Sequence, residues 1–254
     1  MLSRIDLERL AETISHGNVG HAEKLYLQDI ILLSISRETV DELVFKGGTA
    51  LLKCYQLDRF SEDLDFTAHQ EIDLTSILEA VIRDLENYGA AVADRTSEES
   101  THAIHIRLGI EGPLYTGDRR SLCFIRLEIN TRSSVLRPNV QRYTPPFPDI
   151  PSFDLALLAE EEIFAEKIRA ILTRQQPRDL YDCYHLLSKG VEPDRDLIQE
   201  KLDYYDLVYE PDAVFDAARE VETNWRDLDA LTYSALPPFE VAFAALETAL
   251  GGSL

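Results

Sequence analysis

Cysteine is scarce in this 254-residue chain. The three present, Cys54, Cys123 and Cys183, are scattered, odd in number and without a CxxC spacing. That excludes a disulfide framework and a cysteine-rich zinc site, and leaves them as small buried hydrophobes. No run of about 18 apolar residues occurs, so no membrane-spanning helix and no membrane partner is expected. The opening stretch MLSRIDLERLAETI has the pattern of an amphipathic helix and lacks an apolar signal region, which predicts a cytoplasmic location. Internal repeats and low-complexity segments are also missing. Lysine is rare, six against nineteen arginines, within a net charge of −21. Such acidity alone disfavours a nucleic-acid partner. Acid spread along the whole chain with so little lysine suits a high-salt cytoplasm, where screening relieves self-repulsion.

What is present is enough apolar residue, 45% of the chain, to fill the core of one large domain or two modest ones. Helices are predicted over 3–15 and 22–36; the second is apolar nearly all round and so is expected to be buried. A short piece at 37–43 leads to FKGGTALLKCYQL, a turn feeding a helix, and RFSEDLDFTA alternates like a strand. DLTSILEAVIRDLENYG is a helix with Asp73 as N-cap and Gly89 as its stop. Strand-like runs follow at 90–95, in THAIHIRLGIEG and in SLCFIRLEINTR. Prolines 138, 145, 146, 148 and 151 mark a connector. Beyond residue 155 the chain reads as helical, with EEEIFAEKIRAILTR as one helix and Pro177 opening another that stops at Gly190. The expectation is an α+β domain over 1–150 followed by a helical domain over 151–254.

The chemistry concentrates in KGGTALLKCYQLDRFSEDLDF, residues 46–66. Asp63 and Asp65 stand two apart on the predicted strand, so both carboxylates share one face about 6.5–7 Å apart, while Leu64 and Phe66 turn to the core. Carboxylates so placed repel unless a cation lies between them, and magnesium, which takes oxygen ligands and leaves room for phosphates, suits the position. Gly47, Gly48 and Thr49 before a helix can present backbone N–H groups to a phosphate. Arg59 and Ser61 add a cation and a hydroxyl. In IRLEIN, Glu128 interrupts an apolar strand. If that strand neighbours the Asp63–Asp65 strand, Glu128 is a third carboxylate on the same face, with Arg126 and Asn130 beside it. Arg119, Arg120, Arg126, Arg132, Arg137 and Arg142 make one stretch basic within an acidic chain, a candidate surface for phosphates. His102 and His105 fall on opposite faces of their strand and do not form a ligand pair.

GGTAL followed by RFSEDLDF, and downstream EKIRAILTRQQPRDLYDCYHLL, resemble the AbiEii/AbiGii-type nucleotidyltransferases, the toxin family of type IV toxin–antitoxin pairs with a minimal, DNA-polymerase-β-like fold. Two separate signatures in order, over roughly 44–190, carry the resemblance. Thr49 stands where the wider superfamily has serine and keeps the hydroxyl. The resemblance implies a polymerase-β-like sheet with flanking helices and a C-terminal helical bundle completing the active site. It implies two Mg²⁺ ions on Asp63, Asp65 and Glu128, and an NTP held by Gly47, Gly48, Thr49, Arg59, Ser61, Lys167, Arg178 and Asp182, with Lys167 and Arg59 neutralising the triphosphate. An RNA acceptor, the tRNA 3′ end foremost, and a separately encoded antitoxin are implied as partners. A protein hydroxyl or small molecule as acceptor, and a non-catalytic binding module, are the alternatives; the presence of all three carboxylates argues against the last. Asp179 fits the favourable electrostatics of a helix N-terminus, and His185, one turn after Asp182, is given no catalytic part.

Overall fold

The computed structural model describes residues 1–70, 72–132 and 134–251. The chain forms two compact units: residues 1–54 with 60–157, and residues 55–59 with those from Leu158 on. The first begins with α1 (Arg4–Ile14) and α2 (Val19–Glu38). Asn18 caps α2 by accepting the His21 N–H, which starts that helix earlier than apolar periodicity suggests. As its composition predicts, α2 is buried almost all round, from Ala22 to Ile35. It packs on α1, on α4 (Leu74–Asn87) and on the sheet strand β5 (Cys123–Asn130). Asp73 caps α4 through the Ser76 N–H, and Gly89, at φ 87°, follows its end.

The sheet has seven strands in the order β3-β4-β5-β2-β1-β7-β6. These are β1 (Leu43–Lys46), β2 (Leu64–Ala68), β3 (Ala91–Glu99), β4 (Ala103–Glu111), β5 (Cys123–Asn130), β6 (Pro138–Tyr143) and β7 (Phe153–Leu158). Helix α3 (Gly47–Cys54) starts directly where β1 stops. β2 runs antiparallel to β1 and parallel to β5, and β4 antiparallel to both β3 and β5. In β5 the alternation is complete: Cys123, Ile125, Leu127 and Ile129 are buried, Arg126 and Glu128 exposed. One face of β5 therefore meets α2 and the other is exposed at Arg126 and Glu128, while β1 is buried along its whole length.

Two expectations change. Of the proline-marked stretch, Pro138 opens strand β6 while prolines 145, 146, 148 and 151 fall in the link to β7, and β7 takes residues 155–158, which were expected to be helical, into the sheet. Proline is tolerated in β6 because its Pro138 is the first residue of an edge strand. The chain therefore leaves the sheet unit at 157/158 and not at 150/151. The strand expected across RFSEDLDFTA begins only at Leu64, because side chains from α2 and α3 occupy the backbone groups before it, as described below.

In the second unit α5 (Glu160–Arg174) packs on α6 (Pro177–Ser188), α7 (Arg195–Asp203) and α8 (Pro211–Arg219). Helix α9 (Phe239–Gly251) covers α6 and α8. Trp225 lies between Tyr181 and Phe239 and donates its indole N–H to the Pro237 carbonyl at 2.8 Å. Gly190, at φ 87°, follows α6 as its sequence predicts.

Candidate active site

The motif region is assembled around one backbone position. Gly47 takes φ 75°, which turns the end of β1 into α3. A Cβ there would lie 2.3 Å from the Asp65 Oδ2, because Lys46 and Asp65 are paired across β1 and β2. Only glycine permits both the left-handed turn and the carboxylate beside it. Gly48 is buried in the first turn of α3, whose leading N–H groups have no partner within the helix. Thr49 is fully buried. Its hydroxyl is engaged with the Ser61 hydroxyl at 2.9 Å and with the Asp63 carbonyl. Gln28 of α2 donates to the Glu62 carbonyl at 2.8 Å and the Ser61 carbonyl at 3.4 Å. Thr49 and Gln28 thus clamp the loop that delivers Asp63. Thr49 and Ser61, expected at the nucleotide, are placed here as supports of the aspartate loop.

Across the open face the register forms two rows. Asp65 stands opposite Glu128, Glu128 opposite His105, and His105 opposite Glu98. In the next row Arg126 stands opposite Arg107, and Arg107 opposite Thr96. Asp63, Arg126, Glu128, His105, Arg107, Thr96 and Glu98 line one open cleft of about 420 Å³. The parallel pairing of β2 and β5 is the relation that puts Glu128 beside the two aspartates, as the sequence required. Glu128 is half exposed, with Oε2 3.7 Å from the His105 Nδ1.

His105 and Arg107 are the site residues that sequence reasoning missed. The alternation of HAIHIRLG already put them on one polar face; what was hidden is that β4 lies against β5. The basic stretch 119–142, by contrast, is not one surface. Arg126 faces the cleft, Arg119 pairs with Asp94 at 2.9 Å, and Arg142 pairs with Asp154 from the far edge strand β6.

Among the described residues no group of three His, Cys, Asp or Glu side chains is placed to hold a metal ion by itself. Asp65 and Glu128 are register partners, and Asp63 and Glu128 line one cleft. Their donors are all oxygen, the kind Mg²⁺ takes together with waters and substrate phosphates.

The other predicted charges sit within the helical unit. Arg59 is buried and grips Asp182 with two bonds of 2.7 Å, Nε to Oδ1 and Nη2 to Oδ2. Lys167, also buried, reaches Asp182 at 2.7 Å and Asp179 at 3.0 Å. Arg174 closes the group with two bonds to Asp179 of 2.7 and 2.8 Å. Burial works against ionised Asp179, yet Lys167 and Arg174 hold its pKa below the ordinary carboxylate value. Asp182 is likewise depressed against its burial, by Arg59 and Lys167. Burial opposes the charge of Lys167 too, and the two aspartates raise its pKa. Arg178 is exposed on α6. The His185 Nε2 is hydrogen-bonded to the Tyr55 carbonyl at 2.9 Å.

The fold thus sets Asp65 of β2, with Asp63 just before that strand, beside Glu128 of the parallel neighbour β5 and against the glycine turn. The sequence model of one family, described as "Nucleotidyl transferase AbiEii toxin, Type IV TA system", matches residues 31–250. The chain belongs to this family of nucleotidyltransferase toxins, and membership implies an NTP substrate and a separate antitoxin. Similar solved structures include JHP933 from Helicobacter pylori, at 22% identity and TM-score 0.62, with 91% of this chain and 90% of that one covered. Another is MenT4, a nucleotidyltransferase toxin from Mycobacterium tuberculosis H37Rv, at 21% identity and TM-score 0.57, covering 98% and 87%. No curated protein matches the sequence.

Proposed function

We propose that the chain transfers a nucleoside monophosphate from an NTP to an RNA acceptor, foremost the 3′ end of tRNA, in a Mg²⁺-dependent reaction. The observation that carries this reading is the pairing of Asp65 with Glu128, which puts the third carboxylate on the face of the Asp63–Asp65 motif. Asp63, Asp65 and Glu128 would hold the metal. When bound, it would supply Lewis-acid neutralisation of the charge on the NTP phosphates. The first turn of α3, opened by Gly47 and Gly48, stands beside Asp65 and directs its N–H groups at the donor phosphates. Glu128, on the side of Asp65 away from that turn, orients the attacking hydroxyl. Arg59, Lys167 and Asp182 satisfy one another's charges and serve the fold of the helical unit, while exposed Arg178 is left to meet ligand. Toxicity would be restrained by the antitoxin that the family implies.

The test is transfer of label from each NTP in turn to total tRNA with Mg²⁺, from low to molar salt, beside Asp65→Ala. Label on RNA that disappears in the variant is expected, with a fall of at least about 10³-fold for loss of a metal carboxylate. Label appearing only on protein or on a small molecule would replace the acceptor. Undiminished transfer by Asp65→Ala would remove the metal assignment.

A further inference from the structure

We infer that Arg107 and Arg126 form a subsite for a backbone phosphate of the acceptor strand, next to the hydroxyl that is attacked. The inference rests on the transfer reaction proposed above. The two arginines are direct cross-strand partners on β4 and β5 and line the same cleft as Asp63 and Glu128. Like charges directly opposite one another destabilise a sheet, so the pair is costly unless an anion lies between them. Asp63, Glu98 and Glu128 line the same cleft, but among the described residues Asp94 is the carboxylate ion-paired with the doublet, through Arg107. Asp94 is 4.0 Å from Arg107 but 2.9 Å from Arg119, so its closer partner lies elsewhere. The Arg107 guanidinium is seated 4.1 Å above the Phe124 ring, which fixes its plane and leaves its N–H edge for a ligand. Arg126 is exposed. Two guanidinium forks on strands about 4.8 Å apart match the oxygens of one phosphodiester.

The side of the metal face on which the pair stands decides whose phosphate it takes. Reading across the sheet, the glycine turn follows β1, the aspartates lie on β2, Glu128 on β5, and Arg107 on β4. Donor phosphates held at the glycine turn after β1 lie two strands from Arg126 and three from Arg107, while Arg126 shares β5 with Glu128 and comes next to Asp63 in the cleft. A phosphate at the arginines belongs to the other reactant, one row along from Glu128 and about 6.5–7 Å away. In a chain of net charge −21 this doublet is a local exception that would select a phosphate-bearing strand from among the hydroxyl compounds of the cell.

Binding can be read without turnover, so the test remains informative even if the transfer reaction is wrong. A short labelled single-stranded RNA is titrated against the full chain over a range of salt, beside a morpholino of the same sequence, whose backbone is uncharged. The RNA should bind and the morpholino should not. Arg126→Gln and Arg107→Gln/Arg126→Gln should each weaken RNA binding, the double variant about tenfold or more. The slope of log affinity against log salt should shrink by about 0.7 for each phosphate that is no longer neutralised. Arg107→Lys, which keeps the charge, should retain most of the salt slope and controls for the packing on Phe124. In turnover assays the variants should raise KM for the acceptor and leave KM for the NTP unchanged. Equal affinity and slope in the double variant would overturn the subsite. A rise in NTP KM alone would assign the pair to the donor and overturn it equally.

Discussion

Gly47 shows how closely backbone and chemistry are joined in this chain. Its φ of 75° and the 2.3 Å from its missing Cβ to the Asp65 carboxylate make it part of the candidate site although it has no functional group. Gly47→Ala is expected to lower stability by about 1–2 kcal/mol through the left-handed backbone. It should lower turnover by about 100-fold, because displacing a metal carboxylate by an ångström costs that much in alignment. Thermal unfolding and kcat together check this; an active Gly47→Ala enzyme would mean that Asp65 does not work from this position. At the same scale the sequence was informative about which side chains share a polar face. It did not show what they touch. Thr49 was legible as a hydroxyl in a glycine turn, yet its bond to the Asp63 carbonyl exists only because α3 folds back on the aspartate loop.

Helices α5 and α6 are joined by charge as much as by apolar packing. Three cations, Arg59, Lys167 and Arg174, surround Asp179 and Asp182, both fully buried. Removing one member of such a group leaves its partners buried without compensation. Asp182→Ala should therefore destabilise the protein by about 3–5 kcal/mol, read from urea unfolding. A fully stable Asp182→Ala with weakened NTP binding would return this residue to the nucleotide. The pH dependence has a definite sign. Both aspartates have folded-state pKa values below the ordinary 3.8, so their contribution is present above about pH 4 and lost as pH falls through the lower folded values. Unfolding midpoints measured from pH 6 down to pH 2 should fall more steeply in the wild type than in a Lys167→Met/Asp179→Asn/Asp182→Asn variant. Parallel curves would mean that the cluster is not ionised. The helices themselves were legible from EEEIFAEKIRAILTR and the proline at 177. The cluster was not, because Arg59 meets Asp182 across 123 residues of sequence.

For the whole molecule the governing quantity is the net charge of −21. Self-repulsion of that size opposes compaction and is screened by salt, with a Debye length of about 10 Å at 0.1 M and about 3 Å at 1 M. Unfolding temperature should rise from dilute buffer to molar KCl, by about 2–4 °C for each kcal/mol of repulsion relieved. A flat or falling midpoint would show that the acidic groups are already balanced by the folded arrangement. For the proposed RNA acceptor the same charge would limit approach, and in the cleft Arg107 and Arg126 offset part of the charge of Asp63, Glu98 and Glu128.

The sequence by itself determined the elements and the motif. Apolar alternation marked β4 and β5, Asp73 and Pro177 placed the helix starts, and the Asp63–Asp65 spacing put two carboxylates on one face. Those features are set by interactions within a few residues, so they survive in a linear reading. Only the tertiary structure decided which strands are neighbours and which charges meet. β2 beside β5 brings Glu128 to Asp65, β4 beside β5 brings His105 and Arg107 to the cleft, and β6 and β7, on either side of the proline-rich link, extend the sheet. It also turned Arg59 and Lys167 inward onto aspartates. These choices depend on the free energy of packing the whole chain, in which partners far apart in sequence compete for the same charge or the same strand edge.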